Sequence, residues 1–426
     1  MKTRLGLALA LVFVASAAAM GRPAPAFADI EVRSQPPVQN LFPNGVRLTI
    51  FLASNAEIRN VRLAYRVLPA GPPSSTRPQC SSGTQINCTV NLTKDIVYLA
   101  PGAEVRYSWE VEDAAGQKLT TPESSFTYQD DRFQWEPAAG GDITAYAYLV
   151  DSQTVQTVLR VARETMDRFS ALEGTQIDFP VKIWVYQTAN DLQPAAAGDR
   201  RDGVHALGQQ VADDTILVSR DTDFLNIVRH EMAHIVTDRA TRGQIGVLPI
   251  WINEGLSTYA QSRLIPGEEQ AFDLALRTNR MLPITSLNAS TRDAAGTVGL
   301  FYAQSGSIVR YLIEKYGDAK FGQFIAAFKD ETASGALAKV YGFDLLGLEQ
   351  EWRRSLGLPP VSGGDGQRPA ATSAPSGDQD GQATAPEGKG GGSSSLFLIV
   401  AGVAGVLLIG GAGAYLLWSM RAKPSA

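Results

Sequence analysis

Two of the chain's three histidines lie four residues apart, with a glutamate directly after the first, in the sequence His230-Glu231-Met-Ala-His234. In a helix, residues four apart lie one above the other on the same face, so both imidazoles can reach a single ion. Imidazole nitrogens in this arrangement suit a tetrahedral Zn²⁺. Glu231 would lie beside the ion without binding it, where a general base can take a proton from water. The pattern predicts a hydrolytic zinc site; the alternative is a pair of histidines that only pack on a helix face.

A catalytic zinc needs a third protein ligand and an open fourth position. A third histidine in the metzincin spacing is absent, because Thr237 and Ala240 occupy the glycine and histidine positions of that pattern. Glu254 lies near the start of the next predicted helix, which is otherwise apolar. A buried carboxylate is costly unless it is paired or bound to a metal, so Glu254 is the expected third ligand. If Glu254 is instead a structural carboxylate at a helix terminus, Glu268 and Glu269 are the nearest acidic candidates.

The elements that must position these side chains follow a change of pattern along the chain. Residues 29–135 contain short runs of alternating apolar and polar side chains between Pro/Gly turns, which is typical of an antiparallel Ig-like β-sandwich. Residues 136–358 contain strands followed by helices, which predicts an α+β domain. Within it, a helix capped by Ser152 separates the first strands, and a strand at 215–218 is expected to form the edge of the cleft.

The two histidines fall on a helix predicted from Phe224 to about Arg239, with Thr222 and Asp223 as its cap. The only two cysteines, Cys80 and Cys88, lie in a Ser/Thr/Gln-rich segment that is interpreted as a loop of the sandwich. A disulfide between them is expected if the protein is exported.

Both ends of the chain indicate export and anchoring. Residues 1–28 have a basic start, an apolar run and a small-x-small cleavage site, which predicts a signal peptide; the alternative is an uncleaved anchor. Residues 359–395 are rich in Gly, Ser and Pro, which predicts a disordered linker. Residues 396–418 carry no charge and are long enough to span a bilayer. Basic residues follow within 419–426, which predicts a short cytoplasmic tail and an extracytoplasmic N-terminal part.

Composition and charge limit the partners. The formal net charge is −5, from 38 basic and 43 acidic side chains, which gives no support to nucleic-acid binding. Hydrophobic residues make up 44% of the chain, so wholesale disorder is excluded. The membrane segment contains two pairs of small residues at four-residue spacing, Ala401 with Gly405 and Gly410 with Ala414. Such pairs allow helices to approach closely and predict a weak homodimer through this segment.

The pattern His230-Glu-Met-Ala-His234 followed by Trp251-Ile-Asn-Glu254-Gly resembles the gluzincins, metallopeptidases with a His-Glu-x-x-His motif and a distal glutamate. It is most similar to the peptidase-MA-like branch found in bacterial surface proteins, over roughly residues 140–355. The resemblance implies a zincin-like domain with one Zn²⁺ per chain, bound by His230, His234 and Glu254, with Glu231 as the base. By family position it also implies that Tyr302, on a helix predicted over 301–316, stabilises the oxyanion.

Other features depart from that resemblance or extend it. Thr258 stands where several gluzincins have an aspartate that orients a ligand histidine, and a hydroxyl would support the ligand more weakly. No motif for a substrate amino terminus is present, so aminopeptidase specificity is not inferred. His205, which precedes the 215–218 strand, is a second candidate for stabilising the oxyanion.

These inferences together predict a membrane-anchored, extracytoplasmic zinc metallopeptidase that acts on a peptide or protein substrate. The alternative is a surface interaction or adhesion protein whose zincin domain has lost activity. Zinc binding without hydrolysis of any peptide would distinguish the second function from the first.

Overall fold

The computed structural model describes residues 30–198, 207–221, 223–242, 248–288 and 297–361. The predicted signal peptide (1–28), most of the linker (362–395), the membrane segment (396–418), the tail (419–426) and His205 lie outside the described residues. Among the helices of the described ranges, none is both long and apolar enough to cross a membrane.

The N-terminal region is a β-sandwich of two antiparallel sheets, as predicted. Its strands are β1 (Glu31–Ser34), β2 (Gln39–Asn40), β3 (Gly45–Ala53), β4 (Ile58–Val67), β5 (Ser74–Thr76), β6 (Gln79–Cys80), β7 (Gln85–Thr93), β8 (Glu104–Asp113), β9 (Lys118–Thr120) and β10 (Ser124–Thr127). One sheet has the order β1-β3-β7-β6 with β2 beside β3, and the other has the order β10-β8-β4-β5 with β9 beside β8. Alternate side chains of β3, such as Leu48 and Ile50, share a buried core with Trp109 of β8.

Cys80 and Cys88 form a disulfide. The two residues are directly paired on β6 and β7, so their interpretation as loop residues is wrong. Strand β6 has only two residues, too few for a recognisable alternation of apolar and polar side chains.

The second domain is built on a five-stranded sheet with the order β11-β12-β13-β15-β14. Its strands are β11 (Glu136–Gly140), β12 (Ile143–Ala147), β13 (Val181–Tyr186), β14 (Gly208–Ala212) and β15 (Thr215–Ser219). The three central strands are parallel, and β11 and β14 run antiparallel to their neighbours. The prediction that residues 215–218 form the sheet edge is wrong, because β14 folds back in a tight hairpin and pairs with the outer side of β15.

Nine helices follow or separate these strands in the described part of the chain. They are α1 (Ser152–Glu173), α2 (Ala189–Leu192), α3 (Phe224–Thr241), α4 (Ile250–Ala260), α5 (Pro266–Thr278), α6 (Val298–Tyr316), α7 (Asp318–Ala327), α8 (Ala333–Tyr341) and α9 (Leu345–Ser355). The cap of α1 is Asp151, not Ser152, because its carboxylate accepts a hydrogen bond from the Thr154 N–H. The Asp223 side chain makes no capping hydrogen bond to α3 and pairs with Arg263 instead. Thr222, the other predicted cap residue, lies outside the described residues.

The two faces of the second sheet have different coverings. Helices α1 and α3 cover one face, where aliphatic side chains such as Ile183, Val185 and Ile216 are buried. The other face, here called the aromatic face, carries Tyr148, Trp184 and Tyr186. This face is covered by the sandwich and by the segment between the two domains.

The segment 128–135 and the sandwich pack directly on the aromatic face. Phe133 stacks on Tyr148 with ring centroids 4.1 Å apart, and Trp135 meets Trp184 edge to face. The Tyr98 hydroxyl of the sandwich donates a hydrogen bond to the Ala195 carbonyl at 2.6 Å. The sandwich therefore helps to bury the aromatic face of the second domain's sheet.

Candidate metal centre

Helix α3 carries the two histidines and the intervening glutamate through the interior of the second domain. It packs between α1, α4 and the sheet, so His230, Glu231 and His234 are buried. Glu254 lies on helix α4, which packs against both α3 and α6. Helices α4 and α6 approach each other closely. A β-carbon at Gly255 would lie 2.6 Å from the Ser305 carbonyl oxygen, so only glycine allows this approach.

The structure brings the three predicted ligands together. The Oε2 atom of Glu254 lies 3.5 Å from Nε2 of His230 and 3.5 Å from Nε2 of His234. One ligand atom from each residue falls within 4.8 Å of the others, the only such group among the described residues. Two residues four apart on one helix and one on the next therefore form a compact donor set.

The donor atoms fit a cation. Nε2 of His230, Nε2 of His234 and Oε2 of Glu254 are buried and have no hydrogen-bond partner among the residues that the structure describes. Buried polar atoms without partners are costly and rare in folded proteins. A single Zn²⁺ takes two imidazole nitrogens and a carboxylate oxygen as ligands. The site residues therefore suit zinc in both chemistry and proximity.

Burial and charge set the protonation of the three groups. Burial lowers the pKa of His230 to about 4, so its imidazole is neutral, the form that binds metals. Burial also tends to lower the pKa of His234, but the negative charge of Glu254 has the larger effect and raises that pKa to about 9. Burial opposes ionisation of Glu254, yet the charge of His234 and the proximity of both histidine rings lower the pKa of Glu254 to about 2. The buried carboxylate thus needs a positive charge beside it.

Two amide side chains that the sequence prediction missed contact the histidine rings. Oδ1 of Asn253 lies 3.0 Å from Nδ1 of His234, and Nε2 of Gln261 lies 3.1 Å from Nδ1 of His230. Thr258, the predicted weak support, has no hydrogen-bond partner for its hydroxyl among the described residues, and its methyl group faces Gly306 of α6. Gln261 lies seven residues after Glu254, nearly two helical turns, but this spacing does not by itself identify His230 as its partner.

Glu231, the predicted base, is held by the edge strand. Its Oε2 accepts a hydrogen bond from the Gln210 backbone N–H at 2.8 Å. The Gln210 side chain donates to Asp238 at 3.0 Å, one further contact between β14 and α3. A β-carbon at Gly208 would lie 2.9 Å from Oε1 of Glu231, so the strand and this carboxylate are in close contact.

Tyr302 lies beside the same group. It is buried in α6, which begins at Val298 rather than at the predicted Phe301, and its ring centroid lies 6.0 Å from that of His230. The ring therefore borders the site, and its role in stabilising an oxyanion stays a prediction.

The alternative acidic candidates lie outside the donor group. Burial raises the pKa of Glu268 to about 8, and its Oε2 accepts a hydrogen bond from the Ile265 N–H at the start of α5. Glu269 is exposed. Neither residue belongs to the group of three ligand residues on α3 and α4.

Several solved structures share partial similarity with the chain. A two-domain M1 zinc metallopeptidase mutant bound to L-arginine is 13% identical, with 80% of this chain and 96% of that chain covered and a TM-score of 0.36. A mutant M1 zinc metallopeptidase from Deinococcus radiodurans is 15% identical, with coverages of 75% and 92% and a TM-score of 0.36. A family 56 carbohydrate-binding module, a beta-1,3-glucan binding domain, is 17% identical, with coverages of 23% and 98% and a TM-score of 0.15. These TM-scores are too low to establish a shared fold.

The comparison of sequences is more specific. Among curated proteins, no match to the chain reaches significance. Residues 161–357, just under half of the chain, match the model of the Peptidase MA superfamily. The matched range contains α3, α4 and α6, which carry His230, His234, Glu254 and Tyr302. The match supports a zincin-like peptidase domain in this part of the chain, as the sequence predicted.

Proposed function

We propose that the chain is a zinc-dependent metallopeptidase that hydrolyses peptide bonds. The observation that carries the proposal is the convergence of three buried donor atoms, from His230, His234 and Glu254, within 4.8 Å of one another. These atoms lack other partners in the described part of the chain, so a cation would satisfy all three at once. One Zn²⁺ per chain is proposed, with these three residues as its ligands.

Zinc, when bound, supplies Lewis-acid chemistry: it polarises a carbonyl and makes a nearby water more acidic. The residues of the chain supply proton transfer and orientation. Glu231 takes the proton of the attacking water and passes it to the leaving amine. The Gln210 N–H holds the Glu231 carboxylate in place through its Oε2. The Tyr302 hydroxyl is proposed to donate a hydrogen bond to the oxygen of the substrate that becomes negative.

The fold also suggests how an extended substrate would be held. Strand β14 is one of the two edge strands of the sheet formed by the described residues, and it contacts the Glu231 carboxylate directly. A peptide that pairs with a sheet edge gains backbone hydrogen bonds. We therefore place the substrate strand next to β14 instead of next to 215–218, which lie inside the sheet.

The location of the enzyme is a separate proposal that rests on the sequence. Residues 1–28 would direct export and 396–418 would anchor the protein in the cell membrane as a single span, with the peptidase domain extracytoplasmic. Protease added to intact cells should release the ectodomain by cutting within 359–395, because an unstructured linker is a preferred cleavage site. An ectodomain that stays protected until the cells are lysed would exclude this orientation. A weak homodimer through 396–418 is proposed on the small-residue pairs alone.

Two substitutions test the enzymatic function. Glu231→Gln keeps the size of the side chain and an oxygen to accept the Gln210 hydrogen bond, but it removes the proton acceptor. Hydrolysis of a peptide library should fall by a factor on the order of 10² or more, with zinc content unchanged. Glu254→Gln should instead lower zinc affinity on the order of 10-fold or more, because a neutral amide is a poor zinc ligand.

Zinc content and peptide turnover are measured on the same purified proteins. Glu269→Gln is the matched control, because this exposed carboxylate lies outside the donor group, and it should change neither quantity. Turnover at the parental rate in Glu231→Gln would exclude the base. Stoichiometric zinc with no hydrolysis by the parent would favour the inactive surface interaction protein.

A further inference from the structure

The ring of each metal-facing histidine has a second nitrogen, and the two second nitrogens have different partners. Nδ1 of His234 faces an oxygen, Oδ1 of Asn253, at 3.0 Å. Nδ1 of His230 faces a nitrogen, Nε2 of Gln261, at 3.1 Å. Both amides belong to α4 or its C-terminal cap, the same element that supplies Glu254. Helix α4 therefore orients both histidines of α3 as well as bearing the third donor.

Thr258 occupies the position where several gluzincins have a carboxylate that orients a ligand histidine, and its hydroxyl makes no hydrogen bond to either histidine ring. Thr258 is directed at α6, since a β-carbon built on Gly306 would lie only 2.7 Å from its Cγ2 atom. Its hydroxyl has no hydrogen-bond partner within the described ranges. The support of His230 therefore comes from a residue three positions later along the chain.

Gln261 is held so that its amide can serve this role. It is 3% exposed, and its backbone N–H donates to the Thr258 carbonyl at 3.2 Å, which ends α4. Its Oε1 atom is buried without a hydrogen-bond partner among the described residues. A half-turn of the amide exchanges Oε1 and Nε2 in space, so either a hydrogen-bond donor or an acceptor can be presented to His230.

We propose that Gln261 is the positioning residue of His230, and that its side-chain amide fixes the orientation of the ring through Nδ1. The inference rests on the proposed function, because it assumes that zinc binds at this site. Nε2 of Gln261 lies 3.1 Å from Nδ1 of His230, and the other ring nitrogen, Nε2, lies 3.5 Å from Oε2 of Glu254. Zinc bound through Nε2 of His230 would leave the ring hydrogen on Nδ1, and Oε1 of Gln261 can accept it after a half-turn of the amide.

A neutral amide differs from a carboxylate in one measurable respect. A carboxylate makes the attached imidazole a stronger ligand, whereas an amide orients the ring with less effect on its basicity. Gln261→Met should therefore weaken zinc binding on the order of 10-fold, and Gln261→Glu should bind zinc at least as tightly as the parent. Thr258→Val is the matched control: it removes the hydroxyl at the position of the family aspartate, keeps the side-chain shape, and should leave zinc affinity unchanged.

The measurements are zinc affinity by competition with a chromophoric chelator and nitrogen NMR of the ¹⁵N-histidine-labelled protein, whose three histidines give a simple spectrum. In the zinc-loaded parent the hydrogen of His230 should reside on Nδ1 and exchange slowly. In Gln261→Met it should exchange rapidly even where zinc is saturating, a change that a general loss of stability would not produce in a folded protein.

The outcomes separate this inference from the proposed function. A parent that binds no zinc would remove the proposed function itself. A parent that binds zinc, together with a Gln261→Met variant of equal affinity and unchanged His230 signal, would overturn only the role of Gln261. Should Gln261→Met fail to fold, Gln261→Glu decides, because zinc binding weaker than in the parent contradicts an orienting role.

Discussion

Two buried carboxylates, Asp130 and Glu254, lie on opposite sides of the second sheet and have opposite surroundings. Asp130 accepts hydrogen bonds from the Arg132 guanidinium and from the Tyr186 hydroxyl, so both of its oxygens have partners. Oε2 of Glu254 faces two histidine nitrogens that also lack hydrogen-bond partners in the described part of the chain. The positive charge beside Asp130 is thus the Arg132 side chain, whereas the donor atoms at Glu254 could be satisfied by a bound cation. A buried carboxylate whose two oxygens both have hydrogen-bond partners indicates a structural role. A buried carboxylate beside other polar atoms that also lack partners indicates a binding site.

The largest loss of stability from a substitution is expected where the hydrogen-bonded network of Asp130 is broken. Asp130→Asn leaves the Arg132 guanidinium, which is partly buried, without its charged partner. Removal of one member of a buried ion pair should lower the free energy of unfolding by about 3 kcal/mol, measured by urea denaturation. Zinc content of the folded protein should stay at the parental value, because the aromatic face is separated from the site by the sheet.

Asp178→Asn is the control for Asp130. Asp178 pairs with Arg239 at 2.9 Å, but its side chain is 64% exposed, so its removal should cost less than about 1 kcal/mol. A loss of zinc in Asp130→Asn at unchanged stability would contradict the division between the two carboxylates.

A smaller effect is expected where the edge strand meets the site. In Gly208→Ala the added β-carbon would lie 2.3 Å from Cγ2 of Ile227 and 2.9 Å from Oε1 of Glu231. Overpacking of this kind costs about 2 kcal/mol, and it should displace the base and lower peptide turnover more than zinc affinity. Gly140→Ala on β11 is the control, because its β-carbon would meet no atom closer than 3.4 Å. Equal turnover in the two variants would mean that β14 does not position Glu231.

The last effect depends on pH and concerns a third buried carboxyl, Glu173 of α1, which has a single side-chain partner. The Thr237 hydroxyl donates to its Oε1 at 3.0 Å, and burial raises the pKa of Glu173 to about 8. Between the ordinary pKa of a glutamate, about 4.3, and this value, the folded state keeps a proton that the unfolded state has lost. The free energy of unfolding should therefore fall by about 1.4 kcal/mol per pH unit as pH rises through this window.

Glu173→Gln should remove that slope, so the variant gains stability relative to the parent from pH 5 to pH 8. The comparison uses metal-free protein, because a nearby cation would itself lower the pKa of the carboxyl. Glu164→Gln, an exposed position on the same helix, should show no such pH-dependent gain. A parallel pH dependence of parent and Glu173→Gln would show that Glu173 is ionised in the fold.

The histidine pair and Glu254 could be located from the sequence because their chemistry depends on residue type and on helical spacing, both of which are local. The edge strand could not, because β14 contains little apolar alternation and is defined only by its pairing with β15. Gln261 was missed for a related reason: a glutamine at a helix end has many roles, and only the folded contact with His230 selects one. Long-range pairing and amide partners are properties of the tertiary structure, and no local pattern encodes them.

The covering of the aromatic face has a consequence for how the molecule is made. Synthesis proceeds from the N-terminus, so the sandwich strands at 31–127 emerge before β12 and β13, whose rings they help to cover. The sandwich can then act as a preformed surface on which the second sheet assembles, and the rings of Trp184 and Tyr186 need not wait exposed. A chain that starts at residue 136 would lack Tyr98, Phe133 and Trp135. The aromatic face would then be exposed to water, and molecules would be expected to associate through it. The sandwich in this view is an intramolecular template for the peptidase domain.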